Sequence, residues 1–212
     1  MRIEKGRKLV QPIRTQKDIE KIYSYLEMKI ATSNNQYKKN NIRNKLLIQL
    51  GMNTGLRIGD ILDFRVKDFN TKNITIRDQK TSKMNSFVLH EKMYKLVLEY
   101  IDFMELREND FLFTNFTYSK DQAGNKFLNN KPLTKQALHY VFKDIQKNCK
   151  LDYSINTHSM RKSFGYHHYK KNKDIYLLMK IFNHSDVTIT QRYIGLIEDD
   201  KNKSRENFTL GI

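Results

Sequence analysis

Residues 157–170 of the chain read THSMRKSFGYHHYK. This stretch predicts a helix with Thr157 as its N-cap, because a threonine side chain accepts a hydrogen bond from a free N–H group of the first turn. His158 and Arg161 are three residues apart and share one face of that turn. The free N–H groups favour an anion, and an arginine adds a planar, bidentate donor that matches phosphate geometry. The stretch therefore predicts a helix end that binds phosphate.

Helical spacing of apolar residues recurs on both sides of this stretch, and Thr15 predicts the N-cap of the first helix. Helices are predicted at residues 19–30, 42–50, 56–62, 93–104, 134–149, 174–182 and 189–194. Residues 74–76 and 87–89 suit the strands of a β-hairpin, and the polar residues 32–41 and 115–131 predict loops. The pattern is typical of a single α+β domain that is mostly helical, with a small antiparallel β-sheet.

The composition excludes several classes of protein. A chain of 212 residues can bury a substantial core without disulfides or a structural metal. Its one cysteine, Cys149, excludes an internal disulfide and a thiolate zinc cluster, and fits a reducing compartment. No apolar run approaches the roughly eighteen residues of a membrane span. We therefore expect a cytoplasmic protein that does not enter a membrane.

Positive charge dominates the chain and indicates a polyanionic partner, most often nucleic acid. The 39 Lys+Arg against 23 Asp+Glu give a net charge of +16 and a pI near 9.7. Residues 1–50 hold 12 basic and 4 acidic side chains, which is +8 of that excess. Residues 1–11 lack a hydrophobic period and predict a basic tail. Its cations either lie along DNA phosphates or remain solvated: Arg2, Lys5, Arg7 and Lys8.

Two further segments place cations where a phosphate site can use them. Arg57 follows a glycine break, on a predicted short helix with apolar neighbours. Asp60 lies three residues later on the same face, where it either orients the guanidinium or forms a purely structural ion pair. Lys80 and Lys83 lie in the predicted hairpin turn, where lysines are usually solvated. Each of these signals is modest when it stands alone.

The order of these groups, completed by His184 and Tyr193, resembles the signature of the tyrosine recombinases, the phage-integrase family of site-specific DNA strand exchangers. The matching stretches are TGLRIGDIL at 54–62, DQKTSKMNSFVL at 78–89, THSMRKSFG at 157–165 and FNHSDVTITQRYIG at 182–195. The resemblance extends from about residue 11 to residue 193. It implies a catalytic set with these members: Arg57, Lys80 (or, as the alternative lysine, Lys83), His158, Arg161, His184 and Tyr193, with Asp60 at the family's acidic position.

The resemblance implies two successive transesterifications at phosphorus. A tyrosine, here Tyr193, attacks the scissile phosphate, forms a 3′-phosphotyrosyl link and releases a 5′-hydroxyl. Bond energy is kept in the covalent intermediate, so the reaction needs neither ATP nor a metal, and no cofactor is expected. The chain has no GxxxxGK[ST] loop, which agrees with this expectation.

The resemblance also gives each group a role. Arg57 and Arg161 would bind the non-bridging oxygens, since a guanidinium stays charged and donates in a planar fork. His158 would accept the tyrosine proton, because histidine titrates near neutral pH. His184 would bind a non-bridging oxygen, and Lys80 would protonate the departing 5′-oxygen.

The chain departs from most members in its length before the first arginine. They carry a core-binding domain ahead of the catalytic one, whereas 56 residues precede Arg57 here. We expect residues 1–11 to be a tail, 12–195 to be the catalytic domain and 196–212 to be a second tail. Three explanations stay open: a fragment of a longer integrase, a short recombinase without that domain, or a DNA-binding regulator derived from an integrase.

Duplex DNA is the expected partner. The family acts as a tetramer on synapsed DNA, so we expect a homo-tetramer there, a monomer or dimer when free, and association with the nucleoid. Residues 196–212 end in spaced apolar side chains that dock in a neighbouring subunit or fold back on their own core. The rival interpretations are a non-catalytic DNA-binding protein, a type IB topoisomerase and a metal-dependent nuclease. The first does not explain the ordered set, the second relaxes DNA as a monomer and usually lacks the His184-type context, and the third would be sensitive to a chelator.

Overall fold

The computed structural model describes residues 10–77 and 84–210. Their helices and strands follow in chain order: α1 (Gln16–Thr32), α2 (Asn35–Thr54), α3 (Ile58–Asp63), a 3-10 turn (Val66–Phe69), β1 (Asn73–Arg77), β2 (Met84–Val88), α4 (Glu91–Met104), β3 (Tyr118–Lys120), β4 (Lys126–Leu128), α5 (Lys135–Asn148), α6 (Thr157–Asn172), α7 (Ile175–Ile181), α8 (Val187–Ile194) and α9 (Leu196–Glu206). The prediction of a mostly helical α+β fold with a small antiparallel sheet is confirmed.

Side-chain caps set the first helix boundaries. Thr15 Oγ1 accepts from the backbone N of Asp18 at 3.0 Å, which confirms the predicted start of α1. The predicted loop at 32–41 is wrong, because α1 runs to Thr32 and α2 begins at Asn35. Asn34 caps α2 by accepting from the backbone N of Tyr37 at 3.2 Å. A good N-cap starts a helix even where the following residues are polar, since polar residues suit its solvent-facing side.

The cap of α6 is one residue earlier than the sequence predicts. Asn156, and not Thr157, is the N-cap, and its side-chain oxygen accepts from the backbone N of His158 at 2.8 Å. Ser159 completes a reciprocal pair by accepting from the backbone N of Asn156 at 3.1 Å. An asparagine with a partner at the third helical position caps better than a threonine alone. His158 and Arg161 still lie in the first two turns of α6.

The predicted hairpin is confirmed, and a second hairpin was not predicted. Strands β1 and β2 pair antiparallel, with Asn73 opposite Val88 and Arg77 opposite Met84. The residues that join them, both candidate lysines included, lie outside the described residues. The expected loop at 115–131 contains the short antiparallel pair of β3 and β4. These strands have three residues each, which is too short for a hydrophobic period to reveal them.

Two apolar clusters hold the helices together. The larger one packs α1, α2, α4, α5 and the start of α6 around side chains such as Leu47, Val97 and Phe142. The smaller one joins α6, α7 and α8 through Tyr166, Leu178, Phe182 and Ile194. Helices α6 and α8 approach closely, because a Cβ on Gly165 would lie 2.6 Å from Ile194 Cγ2. The smaller cluster is the support on which the candidate site is built.

The two ends of the described chain differ from the expected tails. Within the basic segment at 1–11, Gln11 donates its backbone N–H to Ser154 O at 3.1 Å, so the described part of it is bound to the domain. Residues 1–9 lie outside the described residues, and so do the four cations that were expected either to lie along DNA phosphates or to remain solvated: Arg2, Lys5, Arg7 and Lys8. The expected tail at 196–212 is helical over Leu196–Glu206. None of the helices described crosses a membrane, because each is too short or too polar.

Candidate active site

Five of the six predicted catalytic residues line one cavity of about 360 Å³. They come from four separate segments, namely the turn before α3, the start of α6, the turn after α7 and the last turn of α8: Arg57, His158, Arg161, His184 and Tyr193. Asn183, Ser185 and Ile189 complete the lining. The sixth predicted residue, Lys80, and its alternative, Lys83, lie outside the described residues.

Tyr193 and His158 face each other across this cavity. The tyrosine hydroxyl lies 3.5 Å from Nδ1 of His158, at the long end of the hydrogen-bond range. Tyr193 lies in the last turn of α8, which Gly195 ends with a φ of 85°. The rings of Phe182 and His184 pack edge-to-face against it, at centroid distances of 5.7 and 5.6 Å. The aromatic contacts hold the phenol in one orientation.

The electrostatic environment sets the protonation states from which these two groups would react. Burial raises the pKa of Tyr193, and the positive charges of Arg161 and Arg57 act in the opposite direction. Desolvation lowers the pKa of His158, and the charges of Lys162, Arg161 and Lys135 lower it further. Near neutral pH the histidine is therefore uncharged and the tyrosine keeps its proton. An uncharged imidazole beside a phenol can act as its base.

Arg161 is both a cavity residue and a structural link. Only 6% of it is exposed, and its guanidinium lies 4.2 Å from the centre of the Phe182 ring. Its Nη1 donates to Gly55 O and its Nη2 to Phe182 O, each at 2.7 Å. The side chain thus ties the turn before α3 and the end of α7 to α6. A planar fork with two fixed acceptors holds the guanidinium in one position.

The sequence predicts Arg57 within the short helix. In the structure, Arg57 is the N-cap residue that precedes α3. The turn before it depends on Gly55, which has a φ of 65° and ends α2. A Cβ at this glycine would lie 2.3 Å from Cδ1 of Phe164, so no larger residue fits. Asp60 is 5% exposed on α3, and its expected role in orienting the Arg57 guanidinium stays a prediction.

His184 is held by a residue that sequence reasoning missed. Its Nδ1 lies 3.0 Å from Oγ1 of Thr190, which is fully buried on α8. The Thr190 hydroxyl is also 3.5 Å from Asp186 O, within donor range. The backbone N of His184 donates to Met179 O at 3.0 Å and fixes the turn after α7. The spacing of six residues between His184 and Thr190 gives no helical signal, because a turn intervenes.

Lys162 is the second residue that was missed. It follows Arg161 directly, and its Nζ lies 5.4 Å from the centre of the Tyr193 ring. The same ammonium donates to Val10 O at 2.8 Å. Lys162 lies four residues after His158, which places both on one helix face, and this spacing was the available signal.

Within residues 10–77 and 84–210, no group of three or more His, Cys, Asp or Glu side chains is arranged to hold a metal ion. The cations that line the cavity are two arginines, which suit an anion and not a metal ion.

Comparison with known sequences identifies the family of the chain. Residues 14–198 match the phage integrase family. A probable integrase/recombinase of Bacillus subtilis, YoeC, is 33% identical over 192 residues, which cover 90% of this chain and 92% of the relative. A probable integrase/recombinase of Acholeplasma phage L2 is 31% identical over 179 residues, 84% of this chain but 55% of the relative. The chain thus spans nearly all of the first relative and about half of the second.

Solved structures show the same fold. The XerH site-specific recombinase bound to a palindromic difH substrate in a post-cleavage complex superposes with a TM-score of 0.70 and 22% identity, over 94% of this chain and 54% of that one. A lambda integrase dimer bound to a COC′ core site gives a TM-score of 0.61 and 16% identity, over 89% of this chain and 61% of that one. At such identities the likeness concerns the fold. Taken with the matches in sequence, it shows that the chain belongs to the phage integrase family of tyrosine recombinases.

Proposed function

We propose that the chain breaks and rejoins duplex DNA at specific sites by transesterification, through a covalent 3′-phosphotyrosyl link to Tyr193. The observation that carries the proposal is the convergence of five chemically matched side chains, from four separate segments, on one cavity. Integration, excision and inversion use the same chemistry and are all compatible with it. The relatives named as integrases and recombinases support the same activity class.

The scissile phosphate would lie between the two arginines. Attack at phosphorus places extra negative charge on the non-bridging oxygens, and preorganised cations stabilise it most effectively in a partly closed site. Arg161 is suited to this because its fork is already fixed by two carbonyl oxygens. Arg57 lines the same cavity from the turn before α3. His184 would add a hydrogen bond to one of these oxygens.

The chemical step transfers one proton on each side of the phosphorus. The Tyr193 oxygen bonds to phosphorus as its O–H proton passes to His158, and the bond from phosphorus to the 5′-oxygen breaks. The departing oxygen then needs a proton, for which Lys80 is the proposed donor and Lys83 the alternative. The reverse step uses a 5′-hydroxyl of the partner strand and returns the proton to Tyr193. Each proton-transfer group is typically worth about 10²–10⁴-fold in rate.

Strand exchange needs more than one active site, so we propose a homo-tetramer on two synapsed duplexes. The solved structures that share the fold include a lambda integrase tetramer bound to a Holliday junction. The free chain would be a monomer or a dimer. The net charge of +16 supports binding to DNA, because phosphate contacts by Lys and Arg supply much of the affinity.

Covalent capture tests the proposal. Protein–DNA adducts trapped by denaturation in cells that express the chain identify the cleaved sequence. A nicked duplex with that sequence then serves as a suicide substrate, because the released strand segment diffuses away. The proposal expects an adduct that survives denaturation and forms in the presence of a chelator. Relaxation of supercoils by a monomer without strand exchange would favour a topoisomerase, and DNA binding without any adduct would favour a regulator.

A further inference from the structure

Residues 10–14 cross the face of α6 and are fixed to it along their length. The backbone N of Ile13 donates to Ser163 Oγ at 2.7 Å, and this bond is buried. Nε2 of His167 lies 2.9 Å from Ile13 O. We call residues 10–14 the strap. The strap is therefore attached to the helix that carries the candidate catalytic residues His158 and Arg161.

Arg14, the last residue of the strap, reaches across to the other side of the site. Its Nη1 forms an ion pair with the carboxylate of Asp199 on α9, and its Nη2 donates to Gly195 O at 3.4 Å. The guanidinium also lies 5.1 Å from the centre of the Tyr166 ring on α6. One side chain therefore contacts α6, the turn that ends α8, and α9.

The contact with Gly195 is close to the nucleophile. Gly195 lies two residues after Tyr193 and has a φ of 85°. A Cβ at this position would lie 2.5 Å from Nη2 of Arg14, so the guanidinium rests directly on the turn. Movement of this turn would carry the last turn of α8, and with it the phenol. The strap has a second contact there, since Lys162 bonds Val10 O and lies over the Tyr193 ring.

We propose that Arg14 is a positioning residue for Tyr193: it holds the α8–α9 turn against α6, and so sets the distance between the tyrosine hydroxyl and His158. The inference rests on the proposed function only in taking Tyr193 as the nucleophile. Asp199 is the acceptor that makes Arg14 sensitive to the position of α9. Displacement of α9 removes one of the two acceptors of Arg14 on that side and loosens the turn.

The energetic reason is the steep dependence of attack on geometry. A displacement of about 1 Å at a reacting atom can cost about 10²-fold in rate. The hydroxyl and Nδ1 are 3.5 Å apart before DNA binds, so a small outward shift breaks their contact. Arg14 is not among the residues that line the cavity, so its loss should slow cleavage and leave DNA binding unchanged.

The first test compares Arg14→Ala, Arg14→Lys and the control Lys29→Ala in the full chain, on the nicked substrate. Lys29 pairs with Asp144 between α1 and α5, with a side-chain exposure of 36% against 30% for Arg14, and it lies outside the cavity lining. We expect Arg14→Ala to form adduct about 10- to 100-fold more slowly with unchanged DNA affinity. Arg14→Lys should recover part of the rate, and Lys29→Ala should match the parent. A rate for Arg14→Ala within twofold of the parent overturns the proposal.

The second test separates positioning from the proposed chemistry. Tyrosines are labelled at Cζ with ¹³C, and the Tyr193 resonance is identified by its loss in Tyr193→Phe. We expect Arg14→Ala to shift or broaden this resonance, whereas Lys29→Ala leaves it in place. An unchanged resonance overturns the positioning role even if cleavage slows. A shifted resonance in a chain that never forms an adduct keeps the positioning role and rejects the recombinase chemistry.

The third test exchanges the charges of the ion pair. Arg14→Glu alone places a carboxylate beside Asp199 and should slow adduct formation at least as much as Arg14→Ala. Adding Asp199→Arg restores an opposite-charge pair between the strap and α9, although a carboxylate at position 14 cannot donate to Gly195 O. The double variant should therefore be faster than Arg14→Glu but slower than the parent. If the double variant is no faster than Arg14→Glu, the contact between positions 14 and 199 does not affect adduct formation. This result contradicts the role of Asp199.

Discussion

The Tyr193 hydroxyl lies 3.5 Å from Nδ1 of His158, although 35 residues separate them in the chain. Helix α6 presents the histidine from its first turn, and α8 presents the tyrosine from its last. The smaller apolar cluster packs these helices together with α7, so the distance is a property of that cluster. The chemistry of the site therefore depends on how firmly three short helices are held.

Replacement of the candidate base should slow cleavage without weakening DNA binding. His158→Ala removes the acceptor for the tyrosine proton, and we expect adduct formation to fall by about 10²–10⁴-fold. Rapid-quench assays on the nicked substrate measure the rate, and a gel-shift titration measures the affinity. An equal loss of affinity and rate would place His158 in DNA binding and not in proton transfer.

Cleavage should lose rate on the acid side only at a pH below the ordinary pKa of histidine. Desolvation and the neighbouring cations lower the pKa of His158, and a histidine accepts a proton only when it is uncharged. The rate should therefore hold as pH falls through about 6.5, the unperturbed value, and decline only below it. A pH profile of single-turnover cleavage checks this. An acid limb centred above pH 7 contradicts the assignment.

Arg161→Lys should lose both stability and activity. A single ammonium cannot reach both Gly55 O and Phe182 O, which the two guanidinium nitrogens each bind at 2.7 Å. Loss of one hydrogen bond from a charged donor costs about 1.5–3 kcal/mol of unfolding free energy, measurable by urea titration. Cleavage should fall as well, because the fork that would hold phosphate is gone.

A buried arginine outside the site supplies the matched control. Arg43 is 4% exposed, donates to Thr114 O and to Asn44 Oδ1, and does not line the cavity. Arg43→Lys should lose comparable stability and retain cleavage at temperatures where the chain stays folded. If Arg161→Lys also loses stability but keeps cleavage, Arg161 has only a structural role.

Thr190→Val should reduce cleavage through His184. Valine keeps the volume of the buried threonine but removes the oxygen that lies 3.0 Å from His184 Nδ1. The ring is then free to turn, and we expect adduct formation to slow by about 10–100-fold, as for other supporting residues of an ordered site. Thr190→Ser restores the hydroxyl and should restore most of the rate. Equal rates for the valine and serine variants would remove Thr190 from the account.

Gly55→Ala should destabilise the fold at the turn that presents Arg57. The φ of 65° is unfavourable for alanine, and its Cβ would overlap Phe164. Gly124 offers a control, since its φ is 84° but nothing lies within 4 Å of the added Cβ. Backbone strain at one such residue costs about 1–3 kcal/mol of unfolding free energy. Gly55→Ala should lose more unfolding free energy than Gly124→Ala, because only the Cβ at position 55 overlaps another side chain. Urea titration of both variants measures the difference in unfolding free energy, and equal losses would show that the overlap is relieved.

Local sequence patterns account for most of the helices. Thr15 starts α1 as predicted, and the glycine at 55 ends α2, because capping and positive φ depend on one or two neighbouring residues. The same local reasoning failed at 32–41, where polar composition concealed an Asn34 cap. It also missed β3 and β4, whose three-residue strands have no measurable period.

The site was predictable as a set of residues, but its support was not. The ordered cations and the tyrosine were recognised from their types and spacing. Thr190, Lys162 and Arg14 act through contacts that only the packed chain creates, such as the Arg14–Asp199 pair across 185 residues. A single sequence cannot link two positions so far apart when neither residue belongs to a motif or to a periodic pattern.

Substitution of the nucleophile tests the central claim most directly. Tyr193→Phe removes one oxygen from a ring that packs against Phe182 and His184, so the fold and DNA affinity should be retained. On the nicked substrate, the parent chain should form a denaturation-resistant adduct, with the DNA attached to Tyr193 in a digested peptide. Tyr193→Phe should form no adduct at any time. An adduct that persists with Tyr193→Phe, or that maps to another residue, would contradict the account.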